Sequence, residues 1–228
     1  HEVAVIIRHG MKRMIEDQEN VYYYLTLMNE NYPQPGLVEG QEDGIIRGIY
    51  RLRESPGKGG KGRAQLLGSG TILREVMAAA ELLEADWGID ADVWSVTSFT
   101  ELRRDGMDAE RHNMLNPTAS KPAVPYVTTA LQDSKGPIVA STDYMKLFAD
   151  QIRPYIPQGR QYRVLGTDGF GRSDFRSKLR EHFEVDRHFV VLATLRALAD
   201  QGEVPVEKVA EAITRYKINI DKANPAYA

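Results

Sequence analysis

A glycine-rich loop is the part of the sequence whose residue types most suggest chemistry. GTDGFGRSD, residues 166–174, follows the apolar stretch YRVL and precedes a helical pattern. Backbone N–H groups at a helix start can bind anions, so this loop could hold a phosphate. Asp168 and Asp174 would repel that phosphate unless Arg172 intervened, and no Lys-Ser or Lys-Thr pair follows as in a P-loop. Because Ser173 or Asp174 would suit a helix N-cap, the pattern favours a structural turn.

A second glycine turn, LLGSGTIL at residues 66–73, resembles part of a nucleotide site. Gly68 and Gly70 follow a predicted strand and open a predicted helix, as in a dinucleotide-binding fingerprint. Leu73 stands in the place of the third glycine, and the next strand ends in SVTS without the carboxylate that would hold a ribose. The sequence favours a tight strand-to-helix turn, and a regulatory nucleotide site remains the alternative.

Other reactive side chains complete no known catalytic pattern. The five histidines lack the i, i+4 spacing and partnering glutamate of a zinc site. No serine lies in a G-x-S-x-G elbow, and the absence of cysteine excludes thiol nucleophiles, thiolate metal sites and disulfides. The basic stretch 51–63 has only Tyr50 as an adjacent aromatic, which predicts a solvated loop rather than a nucleic-acid groove.

The composition is typical of a soluble globular protein. The chain has 228 residues and a net charge of −3, so its overall field does not attract nucleic acid. No apolar run approaches the roughly 18 residues of a membrane span, and we expect a cytoplasmic protein with no membrane partner. The chain opens with HEVAVIIRHG, which is already helical in pattern and lacks an initiator Met. We therefore expect a fragment of a longer protein.

Hydrophobic periodicity predicts the strands and helices that position the two glycine turns. The pattern predicts a helix over residues 2–16 and a strand over residues 21–27, VYYYLTL. After a short helix at 40–48, strands are predicted at GIYRLRE, AQLLG, ADVWSVTS, GPIVAST and YRVLGTDG, with helices following most of them. The helix after the last of these is predicted over 173–183, with Phe175, Leu179 and Phe183 on one face. Alternating strands and helices predict a mainly parallel sheet covered on both faces.

Several long stretches resemble one known family. They are VYYYLTLMNENYPQP, QLLGSGTILREVMAAAELL, WSVTSFTELRRDGMDAERHNMLNP, VASTDYMKLFADQIRPYIP and RVLGTDGFGRSDFRSKLREHFEVD. Together they closely resemble the C-terminal part of the homodimeric pyruvate dehydrogenases, the decarboxylating first component of the bacterial pyruvate dehydrogenase complex. The Phe-Gly-x-Ser piece from Phe170 to Ser173 is also similar to the wider transketolase family.

The resemblance implies an architecture. Residues 1–43 resemble the end of a pyrimidine-binding domain, namely its last helix and strand. Residues 44–228 resemble a complete transketolase-like C-terminal domain. Its fold is a three-layer α/β sandwich whose five-stranded, mostly parallel sheet has one antiparallel strand.

The resemblance also implies a function. Enzymes of this family are homodimers that use thiamine diphosphate and Mg²⁺ to decarboxylate pyruvate. They pass the two-carbon unit to a lipoyl group on the dihydrolipoyl acetyltransferase component. The family's metal motif, Gly-Asp-Gly followed later by Asn-Asn, does not occur here. Its activating glutamate and active-site histidines belong upstream of residue 1.

We therefore predict no catalytic, cofactor-binding or metal-binding residue in this chain, and no activity when it is isolated. What remains is a role in domain docking and dimerisation. The tracts STDYMKLFADQ and GTDGFGRSD begin at strand carboxyl ends, where open α/β sheets present binding crevices. The candidate docking or pocket-wall residues there are Asp143, Tyr144, Asp168, Arg172 and Ser173.

Overall fold

The computed structural model describes residues 1–58 and 60–228. The described elements, in chain order, are α1 (Glu2–Met11, continued by a π-helical turn over Lys12–Glu16), α2 (Glu42–Arg47), β1 (Tyr50–Arg53), β2 (Arg63–Gly68), α3 (Leu73–Leu82, preceded by a 3₁₀ turn over Gly70–Ile72 and continued by a π-helical turn over Leu83–Trp87), β3 (Asp90–Ser95), α4 (Phe99–Leu115), α5 (Tyr126–Leu131), β4 (Ile138–Ser141), α6 (Lys146–Asp150, followed by a 3₁₀ turn over Arg153–Tyr155), β5 (Tyr162–Leu165), α7 (Arg176–His182), α8 (Arg187–Asp200) and α9 (Glu207–Arg215). None of these helices combines the length and apolar character needed to cross a membrane.

The five strands form one sheet in the order β1-β3-β2-β4-β5. β2 lies at the centre and pairs in parallel with both β3 and β4, and β5 continues the parallel set. β1 alone runs antiparallel, at the edge beside β3. The predicted mostly parallel sheet with one antiparallel strand is therefore confirmed.

Helices cover both faces of the sheet because its inner strands are apolar on both sides. Leu66 and Val139 point into a core shared with α3, α8 and α9. Leu67, Trp94 and Ala140 point into a second core shared with α4, α5 and α6. Burial on both faces gives near-continuous apolar strands, as expected for a parallel sheet. The three layers confirm the predicted α/β sandwich.

The strand predicted over residues 21–27, which was assigned to the end of a pyrimidine-binding domain, is wrong. These residues have no regular secondary structure. A strand needs a hydrogen-bonding neighbour, and no described segment pairs with this one. Tyr22 and Tyr24 are 88% and 85% exposed, whereas Tyr23 packs against Gly10 on the preceding helix. The helix predicted before it, over 2–16, is confirmed by α1 and its π-helical turn.

The start of the helix after the first glycine loop also differs from the prediction. α7 begins at Arg176, and its N-cap is Phe175, with no side-chain capping bond. Ser173 does not cap the helix, and Asp174 accepts only the N–H of Phe175, at 2.7 Å. Phe175 is exposed instead of lying on the buried face with Leu179 and Phe183, because the chain turns before reaching the helix.

Two glycines with nearly equal dihedral angles provide a test of packing around the sheet. Gly136 (φ +80°) precedes β4, and an added Cβ would lie 1.5 Å from the Arg63 carbonyl oxygen. Gly159 (φ +79°) has no heavy atom within 4 Å of the same position. Gly159→Ala should cost about 1–2 kcal/mol of unfolding free energy, the strain of a left-handed residue. Gly136→Ala should cost at least about 3 kcal/mol, because the clash adds to that strain. Urea unfolding of both variants measures the difference, and equal losses would contradict this packing.

Candidate functional site at the carboxyl edge of the sheet

The chain changes direction across the sheet between β2 and β4. β3 lies on one side of the central strand β2 and β4 lies on the other. The connection from β2 to β3 and the connection from β3 to β4 therefore run in opposite directions across the sheet. Open α/β sheets bind ligands in the crevice outside such a switch point, at the carboxyl ends of the strands. The crevice here lies between the loops 69–71 and 142–144, which makes this edge the place to look for a site.

Side-chain hydroxyls tie the two loops of the crevice to each other. Ser69 Oγ donates to Thr142 Oγ1 at 2.8 Å, and the Ser69 N–H donates to the Ser141 carbonyl at 3.4 Å. Thr71 Oγ1 makes a longer contact of 3.5 Å with Asp143 Oδ2. These polar groups satisfy one another across the crevice, so they stabilise the edge rather than presenting free donors to a ligand.

The loop after β5 is fastened to the loop after β4. The hydroxyl of Thr167 donates to the Asp143 carbonyl at 2.7 Å, and its N–H donates to the Tyr144 carbonyl at 2.9 Å. Asp168 Oδ1 accepts the Lys146 N–H at 3.0 Å. The structure thus brings together three of the candidate residues, Asp143, Tyr144 and Asp168.

The other two candidates lie apart from that cluster. Arg172 and Ser173 are exposed in the part of the loop that leads to α7. Within the described part of the chain, neither side chain makes a hydrogen bond or ion pair. Their placement leaves both free to meet another surface, so their docking role stays a prediction.

Asp143 is the titratable group of the crevice. Burial raises the pKa of its carboxyl above the ordinary value, although hydrogen bonds from its own backbone and from Thr71 oppose this. Gly70 faces the carboxylate, and a Cβ added there would lie 3.7 Å from Asp143 Oδ1.

The glycine turn after β2 has a packing explanation. A Cβ on Gly68 would lie 2.7 Å from the Leu73 Cα, so glycine allows α3 to approach β2 closely. A carboxylate does reach the end of β3, but it comes from Glu2, which accepts the Ser95 hydroxyl at 2.5 Å and the Tyr50 hydroxyl at 2.8 Å. The start of α1 therefore occupies the place where a ribose-binding carboxylate would act, and no observation favours a nucleotide there.

Large apolar side chains are exposed beside the crevice. Tyr144 and Phe148 lie with their ring centroids 5.3 Å apart and are both more than 40% exposed. We call this surface the carboxyl-edge patch, and it comprises Tyr144, Met145, Leu147, Phe148 and Phe170. Clustered apolar exposure of this kind marks interaction surfaces. The sequence pointed to the tract that contains the patch, but it did not single out Phe148 or Leu147.

A bound Mg²⁺ of the kind that the resemblance implies would need a cluster of oxygen ligands. In the described ranges, no group of three or more His, Cys, Asp or Glu side chains could hold a metal ion. The half-buried Asp143 has a raised pKa, and Asp168 is engaged by a backbone N–H. The absence of metal and cofactor binding remains a prediction.

Comparison with known proteins identifies the family of this fold. A sequence model described as the transketolase-like C-terminal domain matches residues 48–186. The chain belongs to this family. A second model, the pyruvate dehydrogenase E1 component middle domain, matches residues 1–35. The transketolase-like domain thus accounts for the sheet, and the middle-domain match accounts for α1 and the segment after it.

Whole-chain relatives agree with these two matches. Pyruvate dehydrogenase E1 component from Pseudomonas aeruginosa is 58% identical over 225 residues, covering 99% of this chain and 25% of the relative. The protein of the same name from Escherichia coli K12 is 57% identical over 229 residues, covering all of this chain and 25% of the relative. That from Cupriavidus necator is 53% identical over 225 residues, with 99% and 25% coverage. The predicted resemblance to pyruvate dehydrogenase is confirmed, and the chain spans about a quarter of the length of these relatives.

Solved structures of similar shape are transketolases. A transketolase mutant from Pichia stipitis covers 76% of this chain and 21% of its own, with 18% identity and a TM-score of 0.48. The transketolase of Campylobacter jejuni covers 66% of this chain and 18% of its own, with 19% identity and a TM-score of 0.42. These likenesses are too distant to support a conclusion about the site.

The raised pKa of Asp143 predicts a pH-dependent stability. Ionisation of Asp143 costs more free energy in the folded chain than in the unfolded chain. The contribution of the protonated carboxyl to the free energy of unfolding is therefore fully present at acidic pH and is lost as the pH rises through the folded pKa. Asp143→Asn should therefore stabilise the protein at pH 7 by up to about 1 kcal/mol, the usual size of a single-substitution effect. The gain should shrink toward pH 4. Urea unfolding across this range measures it, with the exposed Asp133→Asn as control. A gain that is independent of pH would show that Asp143 ionises normally.

Proposed function

We propose that this chain is the C-terminal region of the decarboxylating component of a pyruvate dehydrogenase complex. As a full-length protein, that component uses thiamine diphosphate and Mg²⁺ to decarboxylate pyruvate and acetylates the lipoyl group of a dihydrolipoyl acetyltransferase. The observation that carries the proposal is identity of more than half over essentially the whole chain with proteins named pyruvate dehydrogenase E1 component. We further propose that residues 1–43 end its middle domain and residues 44–228 form its C-terminal domain.

In that enzyme, this region serves docking and homodimer formation rather than chemistry. The carboxyl-edge patch exposes apolar side chains on one side of the sheet edge. Ile7, Met11 and Ile15 expose a second apolar strip along α1. Exposed apolar area of this extent is costly in water unless another surface covers it. The occupant we propose is the rest of the homodimeric enzyme, because the relatives are about four times as long as this chain.

The cofactor chemistry belongs to residues outside this chain. Bound thiamine diphosphate would accept the electrons left when CO₂ departs. No residue described here touches that reaction in our proposal. Asp143, Tyr144 and Asp168 instead hold the loops at the carboxyl edge, and Arg172 and Ser173 extend toward the covering surface.

The isolated 228-residue chain should not bind the cofactor. Calorimetric titration with thiamine diphosphate and Mg²⁺ is expected to give no saturable heat, because the chain lacks the metal ligands and the activating glutamate of the family. The full-length protein, titrated under the same conditions, should give saturable binding and decarboxylate pyruvate. Micromolar binding by the isolated chain would refute the docking role, and an inactive full-length protein would refute the proposed enzyme.

Truncating the carboxyl-edge patch should weaken assembly of the full-length enzyme. The double variant Phe148→Ala with Phe170→Ala is expected to raise the dimer dissociation constant at least tenfold, because it removes two exposed rings from the covered surface. Arg172→Ala should act in the same direction. Sedimentation equilibrium measures assembly, and the control is Met114→Ala, at an exposed apolar side chain near the end of α4, away from the carboxyl edge. An altered KM for pyruvate with an intact dimer would contradict the docking role.

A further inference from the structure

The segment between α1 and α2 is held against the sheet domain by charge. Residues 21–38 form no helix or strand, yet Glu30 is only 24% exposed at its side chain. Its carboxylate lies within ion-pair distance of three guanidinium groups. These belong to Arg74 on α3 at 3.5 Å, and to Arg180 at 3.4 Å and Arg176 at 3.7 Å on α7. A carboxylate with three arginines around it is an organised contact rather than a single surface pair.

The neighbours of Glu30 engage the same arginines. Asn29 Oδ1 accepts a hydrogen bond from Arg176 Nη2 at 2.7 Å. The Arg74 guanidinium lies over the Tyr32 ring, 4.5 Å from its centroid. Three residues within a stretch of four, Asn29 to Tyr32, therefore meet three arginines, which fixes both the position and the direction of the segment.

A buried glutamate, Glu75, binds Arg180 from the side of the core. Glu75 on α3 accepts from Arg187 Nε at 2.8 Å and from Arg180 Nη1 at 3.2 Å. Burial alone would raise the pKa of Glu75, but the hydrogen bonds and charge of Arg187, with the charge of Arg180, bring it below its ordinary value. Arg180 is thus shared between the buried Glu75 and the more accessible Glu30.

The cluster is incomplete without Glu30. Among the described contacts, Glu75 pairs with Arg180 and Arg187 but with neither Arg74 nor Arg176. Glu30 supplies a negative charge at the point where three of the guanidinium groups converge. Its loss would leave like charges close together, and such an arrangement is destabilising.

We propose that Glu30 is a positioning residue that latches the end of the middle domain onto α7. Glu30 lies in the middle-domain match, whereas Arg74, Arg176 and Arg180 lie in the C-terminal-domain match. α7 directly follows the loop 166–174, so holding its first turn also holds that loop beside the carboxyl-edge patch. The contact is intramolecular, and the inference does not depend on the proposed enzymatic activity.

The test is amide hydrogen exchange on the full-length protein carrying Glu30→Gln. Exchange in residues 29–32 and 166–176 is expected to become at least tenfold faster, whereas the core strands should be unchanged. The matched control is Glu39→Gln, which removes the same charge from the same segment at an exposed position. In the described part of the chain, Glu39 makes no ion pair, so its variant should exchange like the unmodified protein.

Two further measurements separate a latch from a general loss of stability. Glu30→Asp keeps the charge and should recover most of the protection. Because Arg74 is half-exposed, Arg74→Gln should fold normally, and because Arg74 contacts Glu30, it should accelerate exchange of the same amides. In the double variant with Glu30→Gln, the acceleration should be smaller than the product of the two single-variant factors, since both substitutions break the same contact.

Three results would overturn the latch. The first is unchanged exchange in Glu30→Gln, and the second is equal acceleration in the Glu39→Gln control. The third is faster exchange throughout β2 and β4, which would mean that Glu30 supports the whole fold instead of positioning α7.

Discussion

The buried amide of Gln65 is the interaction on which the rest of the sheet depends. Gln65 lies at the middle of β2 and is fully buried. Its amide nitrogen donates to Asp92 Oδ2 at 2.8 Å and to the Lys135 carbonyl at 3.0 Å, and its amide oxygen accepts the Trp94 indole N–H at 2.8 Å. One side chain therefore joins β2 to β3 and to the loop before β4, and a buried amide with these partners met specifies a single register.

Asp92 strengthens this constraint. Arg63 donates two hydrogen bonds to its carboxylate, at 2.6 and 2.9 Å. Although burial alone would raise the pKa of Asp92, the bonds from Arg63, from the Ser55 N–H and from Gln65 bring it below its ordinary value. With the register fixed at this end, Gly68 and Ser69 must emerge beside Ser141 and Thr142 at the other. The tied loops at this edge follow from that placement, and they hold the residues of the carboxyl-edge patch in place.

Sequence patterns predicted those parts of the fold whose cause is local. Strands buried on both faces give apolar runs, and helices such as α4 carry a Ser98 cap, so their positions were predictable. α5 was missed because its six residues, YVTTAL, are too few to establish a helical period. It is held by distant contacts, namely the Asp105 carboxylate on the Tyr126 N–H and the Arg47 guanidinium over the Tyr126 ring. The strand predicted at 21–27 failed for the opposite reason, since β-propensity expresses fit to a neighbouring strand and none is present among the described residues.

The residues of the candidate site likewise fall into those that local sequence patterns predict and those that depend on distant contacts. Asp143, Tyr144 and Asp168 were predictable because strand carboxyl ends converge on one edge of a parallel sheet. The carboxylates of Glu2 and Glu30 were not, because they meet partners 93 and 150 residues away in sequence. Both belong to the part of the chain that matches the middle domain, and both replace apolar packing with hydrogen-bonded charge. Salt screens the charges of a junction built in this way, whereas it does not screen the apolar contacts of the two cores behind it. The segment is therefore held by contacts of a different physical kind from those that hold the sheet beneath it.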